Sequence, residues 1–282
     1  MYRILLALCF FGAPDIVFAQ KLYEDIAISG YSVEKDLRYS KVEKYTVFDL
    51  YRPKTDGVAV RPLIIWMHGG GFKFGSKNAA GVKVWCGSLA RRGWICAAIN
   101  YKLGNKSLKF TYNELVANCN RAVQDVRTAL AYFKANASLW GIDTNRIILA
   151  GNSAGGMLAL QTVYGPDSGN QGVAAIVNFW GGIFDTAWLR NARVPIVSVH
   201  GTQDGIVPYD HKGYPLYGSL PIHRMADSLH IPNALKSYEG FSHELQKHFN
   251  PFLVSGKTRQ RWMEAAQFAA DFLYEKLYPG RP

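Results

Sequence analysis

An apolar run, Ile147-Ile148-Leu149-Ala150, meets the small-residue segment Gly151-Asn152-Ser153-Ala154-Gly155-Gly156, and the helix-compatible Met157-Leu158-Ala159-Leu160-Gln161 follows at once. A strand that turns straight into a helix brings two stretches of backbone close together. Glycine two residues to either side of Ser153 removes the side chains that would collide there. The segment reads as a nucleophile elbow, a sharp turn that exposes a serine hydroxyl, and it needs the strand and helix that flank it.

The rest of the chain repeats that alternation. Residues 25–31 and 44–51 alternate apolar and polar side chains and are expected to be half-solvated strands, with the polar stretch 32–41 joining them. Residues 62–67 form an unbroken apolar run ending in His68-Gly69-Gly70-Gly71, as expected of a strand covered on both faces. Val82, Trp85, Cys86, Leu89 and Ala90 recur at helical spacing before Gly93, a natural stop. A strand over 94–101, a long helix over 113–136 and the elbow strand over 146–150 follow. Further strands are expected at 173–179, 194–199 and 234–239, and an amphipathic helix runs through Trp262, Ala265, Ala266, Ala269, Phe272, Leu273 and Leu277. This order specifies an α/β fold with a largely parallel sheet, and in such sheets chemistry collects at the carboxyl ends of the strands.

Length and composition fit one ordinary globular domain with a sizeable core. The 282 residues are 49% hydrophobic, and their 27 glycines and 12 prolines are spread along the chain. The net charge of +11 comes from scattered lysines and arginines, which reads as a solvated surface. No stretch interleaves clustered basic residues with aromatics, so nucleic acid is not an expected partner. Met1-Tyr2-Arg3, the apolar 4–13 and Val17-Phe18-Ala19 read as a signal peptide over 1–19, which makes 20–282 the mature domain and predicts export to the periplasm or beyond. Leu6-Ala7-Leu8-Cys9 is a weaker match to a lipid-attachment site, and no membrane span is expected elsewhere. Removing Cys9 leaves Cys86, Cys96 and Cys119, which allow at most one disulfide and do not say which.

Three strand ends carry reactive groups in the order serine, aspartate, histidine: Ser153, then Asp204 in the segment 200–208, then His243 in 239–244. The rivals to Asp204 are Asp185, also behind a strand, and Asp210 in the same loop. With these motifs the chain resembles the α/β-hydrolases of the esterase and lipase superfamily. It is nearest to carboxylesterases with a His-Gly-Gly-Gly element and a Gly-x-Ser-Ala-Gly-Gly elbow. It departs from hormone-sensitive-lipase relatives in carrying Asn152 where they usually have Asp. The resemblance implies an α/β-hydrolase fold, a mostly parallel sheet of about eight strands with helices on both faces.

That resemblance also implies roles. Ser153 would attack, His243 would move the proton, and Asp204 would orient the imidazole. The backbone N–H groups of Gly70, Gly71 and Ala154 would receive the oxyanion. No cofactor or metal is called for, and no pair of histidines has metal-ligand spacing on one helix. His68 and His200 are expected to be hydrogen-bonded supports at strand ends, and His211, His223, His230 and His248 to lie on the surface or in loops. Phe72, Trp180 and Trp188 are candidate pocket walls or ordinary core, and 102–112 is a candidate lining for the alcohol side. Residues 209–232 are either a partial lid or a long connection. The implied activity is hydrolysis of short-chain or aryl esters through an acyl-enzyme. The alternatives are removal of acetyl or feruloyl groups from polysaccharide, and a non-catalytic binding protein on the same fold.

Overall fold

The computed structural model describes residues 22–54, 57–106, 109, 111–168, 171–211, 213 and 215–279. The expected signal segment 1–19 and three positions of the 102–112 loop lie outside the described residues.

Eight strands form one sheet: β1 (Tyr31–Arg38), β2 (Val47–Pro53), β3 (Arg61–Met67), β4 (Ile95–Ile99), β5 (Ile142–Asn152), β6 (Ala175–Phe179), β7 (Ile196–Gly201) and β8 (Asn233–Tyr238). Their spatial order is β1-β2-β4-β3-β5-β6-β7-β8. The β1–β2 and β2–β4 pairs are antiparallel, and every pair from β4 onward is parallel. The helices are α1 (Ala80–Ala90), α2 (Tyr112–Ala135), the single turn α3 (Ala137–Trp140), α4 (Ala154–Tyr164), α5 (Ser219–Ser228) and α6 (Gly256–Leu277).

The apolar runs explain the layering. Every residue of β3 is buried because the sheet is covered on both faces. Leu63, Ile65 and Met67 point into a core shared with α2, α4 and α5, while Ile64 and Trp66 point into one shared with α1 and α6. The second core is aromatic, with Trp66 stacked on Trp85 at 5.1 Å and Trp262 at 5.2 Å from Trp85. The Thr111 hydroxyl accepts from Glu114 N–H at 3.3 Å and the Ser255 hydroxyl from Thr258 N–H at 3.1 Å, satisfying orphan donors where α2 and α6 begin. Because β3 through β8 run parallel, the segments after β3, β5, β7 and β8 emerge along one edge of the sheet.

Three expectations need correction, and one left open is settled. The first strand is not 25–31 but β1, within the stretch expected to be a connection. It is an edge strand, largely exposed, with a register shift between Glu34 and Leu37 and Asp36 at φ 56°, so it never needed an alternating apolar face. Residues 209–232 are not a lid as a whole, because they contain α5, and Leu216 and Ile222 are buried in the core. His223 is buried on α5 rather than at the surface, with its Nδ1–H donating to Asn233 Oδ1 at 2.5 Å. Cys86, Cys96 and Cys119 are all buried free thiols, and no disulfide joins them.

One buried ion pair ties the antiparallel edge to the loop after β3. Lys77 Nζ lies 2.6 Å from Asp49 on β2 and 2.8 Å from the more exposed Asp36, and Lys77 N–H donates to Asn100 Oδ1 at 2.7 Å. Breaking such a pair from one side strands a buried charge, whereas replacing both partners by apolar groups does not. Lys77→Met is expected to cost about 3 kcal/mol in urea denaturation, and adding Asp49→Leu to recover much of it.

Burial also keeps two histidines neutral. His68 and His223 are each pushed down to about 4, chiefly by desolvation, opposed by the hydrogen bond each ring donates to Gly69 O or Asn233 Oδ1. In the unfolded chain both rings take up a proton below about pH 6.5. The unfolded state therefore holds more protons between those values, and stability falls as the pH drops from about 6.5 toward 4. The urea midpoint is expected to be lower at pH 5 than at pH 7, and His223→Leu to flatten that difference.

Candidate active site

Ser153 leaves the end of β5 at φ 54° and ψ −120°, a strained turn for a residue with a side chain. Its N–H donates to Phe179 O at 2.8 Å and its carbonyl accepts from Met157 N–H at 3.0 Å, so β6 and α4 hold the turn from both sides. The glycines are required by contact. A Cβ on Gly155 would lie 2.0 Å from Met67 O, one on Gly151 would lie 2.3 Å from the Gly155 carbonyl carbon, and one on Gly156 would lie 2.4 Å from Asn178 Oδ1.

Asp204 follows β7 and is buried. Its Oδ1 accepts from Ile206 N–H at 2.8 Å and Val207 N–H at 3.0 Å, and its Oδ2 lies 2.6 Å from His243 Nδ1. Burial alone would raise this carboxyl, but the two imidazoles of His200 and His243 beside it outweigh that and hold the group well below the usual carboxylate range. His243 follows β8, and its Nε2 lies 2.9 Å from Ser153 Oγ. The carboxylate accepts from Nδ1–H, which leaves Nε2 as the acceptor for the serine hydroxyl. The structure thus brings the three expected residues into one hydrogen-bonded chain. Asp185 instead caps a 3-10 turn through Ala187 N–H at 2.8 Å, and Asp210 is exposed.

The loops that deliver these groups are tied to each other. Gly201 ends β7 where a Cβ would sit 2.3 Å from Phe241 O, and Gln203 N–H donates to that carbonyl at 2.9 Å. The turn after His243 carries Glu244 and Leu245 at φ 56° and 58°. Trp262 Nε1 on α6 donates to Glu244 O at 2.8 Å, and Arg261 Nε to Leu245 O at 2.7 Å, so α6 fixes the histidine loop.

The loop after β3 lies against the serine. A Cβ on Gly69 would lie 3.2 Å from Ser153 Cβ. Gly70 and Gly71 have φ 115° and 62°, and Gly70 O accepts from Lys73 N–H at 3.1 Å and Phe74 N–H at 2.9 Å. Neither their N–H groups nor that of Ala154 donates to another described residue. The buried Lys73 braces the loop from behind, 3.2 Å from Glu114. His68 Nδ1–H donates to Gly69 O at 2.7 Å, its ring stacks on Tyr101 at 4.3 Å, and Tyr101 O–H donates to His68 O at 2.7 Å.

The aromatic pocket walls fare differently. Phe72 and Trp180 are fully buried, Phe72 in the α2/α4 core and Trp180 among Trp85 and Phe179, so neither faces an accessible pocket. Trp188, on the 3-10 turn Thr186–Asn191, is half-buried against the α2/α4 core. Sequence reasoning missed Phe249, whose half-buried ring stands edge-on to His243 at 5.1 Å, because the polar loop around it has no periodicity to mark it. It also missed a second imidazole on Asp204, since His200 Nε2 lies 3.3 Å from Oδ2. The four-residue spacing within one strand-end segment was the signal available.

Known proteins agree with this architecture. A family model described as BD-FAE matches residues 48–185. The probable carboxylic ester hydrolase LipM of Mycobacterium tuberculosis is 29% identical over 187 residues, covering 63% of this chain and 39% of that protein. Esterase LipC of the same organism is 33% identical over 113 residues, covering 40% of this chain and 25% of that protein. The chain therefore spans well under half the length of these curated relatives. Among solved structures, Thermogutta terrifontis esterase 2 phosphorylated by paraoxon matches with a TM-score of 0.63 at 23% identity, covering 88% of this chain and 95% of that one. The native form of that esterase matches with a TM-score of 0.63 at 21% identity, covering 94% and 99%. A sheet of this strand order, with its serine turn behind the fifth strand and its course shared with that esterase over most of the chain, gives this protein the α/β-hydrolase fold.

Proposed function

We propose that the protein is a serine carboxylic-ester hydrolase that works through an acyl-enzyme. The observation that carries this reading is the chain from Ser153 Oγ to His243 Nε2 at 2.9 Å and from His243 Nδ1 to Asp204 Oδ2 at 2.6 Å. A serine hydroxyl is a weak nucleophile near neutral pH, so the attack needs His243 Nε2 to take its proton as the bond to the ester carbonyl forms. Asp204 holds the imidazole with Nδ1 protonated and stabilises the imidazolium. The negative oxygen of the tetrahedral intermediate is met by the uncommitted N–H groups of Gly70, Gly71 and Ala154, the last at the positive end of α4. His243 then protonates the departing alcohol, and water activated by the same nitrogen releases the acid.

LipM, LipC and gut esterase 1 of Caenorhabditis elegans are named as ester hydrolases, which supports ester rather than peptide cleavage. The substrates proposed are short-chain or aryl esters. The solved neighbours from Thermogutta terrifontis include propionate-bound and butyrate-bound forms, which supports a short acyl group. Phe249, edge-on to His243, supplies an apolar wall beside the reacting atoms. Among the described residues no helix is long and apolar enough to cross a membrane. Export, read from the composition of 1–19, is part of the same proposal.

A fluorophosphonate probe is expected to label Ser153 in the folded protein. No adduct on that residue would sink the enzyme reading and favour a non-catalytic binding protein. Ser153→Ala is expected to lower ester turnover at least 10⁴-fold with the thermal transition unchanged within a few degrees. On a panel of p-nitrophenyl esters, acetate and butyrate are expected to give higher kcat/KM than octanoate, and the reverse order would refute the short-chain assignment. Acetylated xylan and feruloylated sugars in the same panel test whether the ester is carried on a glycan.

A further inference from the structure

Asp204 is held by two imidazoles, and only His243 reaches Ser153. His200, at the end of β7, is fully buried, with Nε2 3.1 Å from Val207 O and 3.3 Å from Asp204 Oδ2. Both neighbours of that nitrogen are acceptors, so Nε2 carries the proton. In the neutral ring Nδ1 is then an acceptor, and it receives the Ser219 hydroxyl at 2.8 Å. Ser219 begins α5 and accepts in turn from Asn178 Nδ2 at 3.3 Å. The same amide lies 3.1 Å from Ser198 Oγ, and Asn178 Oδ1 accepts from Gly181 N–H at 3.0 Å. Asn178, Ser198, His200 and Ser219 have no exposed surface, so the orientation of His200 is set from β6, β7 and α5 together.

We infer that His200 is a positioning residue for the candidate site, its Nε2–H lying against Asp204 Oδ2 so that this oxygen stays turned toward His243 with its pull on the His243 proton tempered. The inference rests on the ester-hydrolase reading for its rate arms only. Holding the aspartate loop in place does not require this contact, because Oδ1 is already bound by Ile206 and Val207 N–H. His200 acts instead on the very oxygen that His243 uses. The His200 N–H donates to Val207 O and lies against Oδ2 at 3.3 Å, so its positive dipole reduces the basicity of that oxygen; losing His200 leaves Oδ2 freer to rotate and more strongly attracting to His243. The other groups around the pair are Glu244 beside His243, Tyr209, whose ring stands edge-on to His200 at 5.7 Å, and Arg261, bound to the Leu245 carbonyl. They are unchanged by substitution at His200, so differences among variants report on that ring.

The test compares His200→Leu, His200→Gln and Ser219→Ala by kcat and KM for p-nitrophenyl acetate across pH, and by the downfield proton resonance of His243 Nδ1–H. His200→Leu is expected to lower kcat roughly tenfold or more with KM little changed. It should also raise the pH of the acid limb of kcat/KM and shift the resonance. His200→Gln, whose amide nitrogen reaches the place of Nε2, should restore most of the rate and return the limb and resonance toward wild type. Ser219→Ala, a smaller lesion that keeps the protein folded if the leucine variant does not, should shift the resonance in the same direction with a loss of about threefold. An unmoved resonance and acid limb in Ser219→Ala and His200→Leu would overturn the proposal. So would a glutamine variant as impaired as leucine. If the wild type hydrolyses no ester, that reading fails alone, and the resonance still decides the role of His200.

Discussion

At one point in this molecule backbone must touch backbone. Gly155, in the first turn of α4, lies where any side chain would run into the Met67 carbonyl at 2.0 Å, and Gly151 faces the same turn from β5. Helix and strands can come that close only because three glycines leave the space empty. The closeness forces Ser153 to φ 54°, points its hydroxyl away from the sheet, and leaves the Ala154 N–H at the start of a helix with no partner inside it. It also brings the glycine loop after β3 against the serine, so that nucleophile and prospective oxyanion donors share one wall.

The other two groups arrive from separate strand ends, and separate ends drift unless something joins them. Gly201 and Phe241 join them here by a second backbone approach, with Gln203 and Thr202 N–H bonded to Phe241 and Tyr238 carbonyls. The parallel sheet brings the loops to the same edge, and these contacts set the 2.6 Å and 2.9 Å spacings between side chains. A buried polar row from Asn178 to His200 backs the aspartate, and every polar atom of that row lies beside a complementary one.

Much of this was legible in the residues. Buried strands such as β3 announce themselves by unbroken apolar runs, and the order of Ser153, Asp204 and His243 at strand ends selects one architecture. Aspartate and histidine separated by 39 residues could be paired only through the topology, which the alternation of strands and helices supplied. What escaped had no period to read. The edge strand β1 is solvated and bulged, so its residues are free of any apolar constraint. Phe72 and Trp180 follow strand ends as pocket residues do, yet both take positive φ values that turn their rings into the core. His223 looks like a surface residue on a polar helix until Asn233 closes over it, and Phe249 follows a turn whose carbonyls α6 holds.

That dependence on α6 has a temporal side. The strands, the serine turn and the aspartate loop all precede α6 in chain order, but the two carbonyls that follow His243 are held by Trp262 and Arg261 from that helix. During synthesis the nucleophile would therefore exist well before its base is fixed. Because α6 also closes the aromatic core over Ile64 and Trp66, the last helix to be made completes one face of the sheet and the site in the same step.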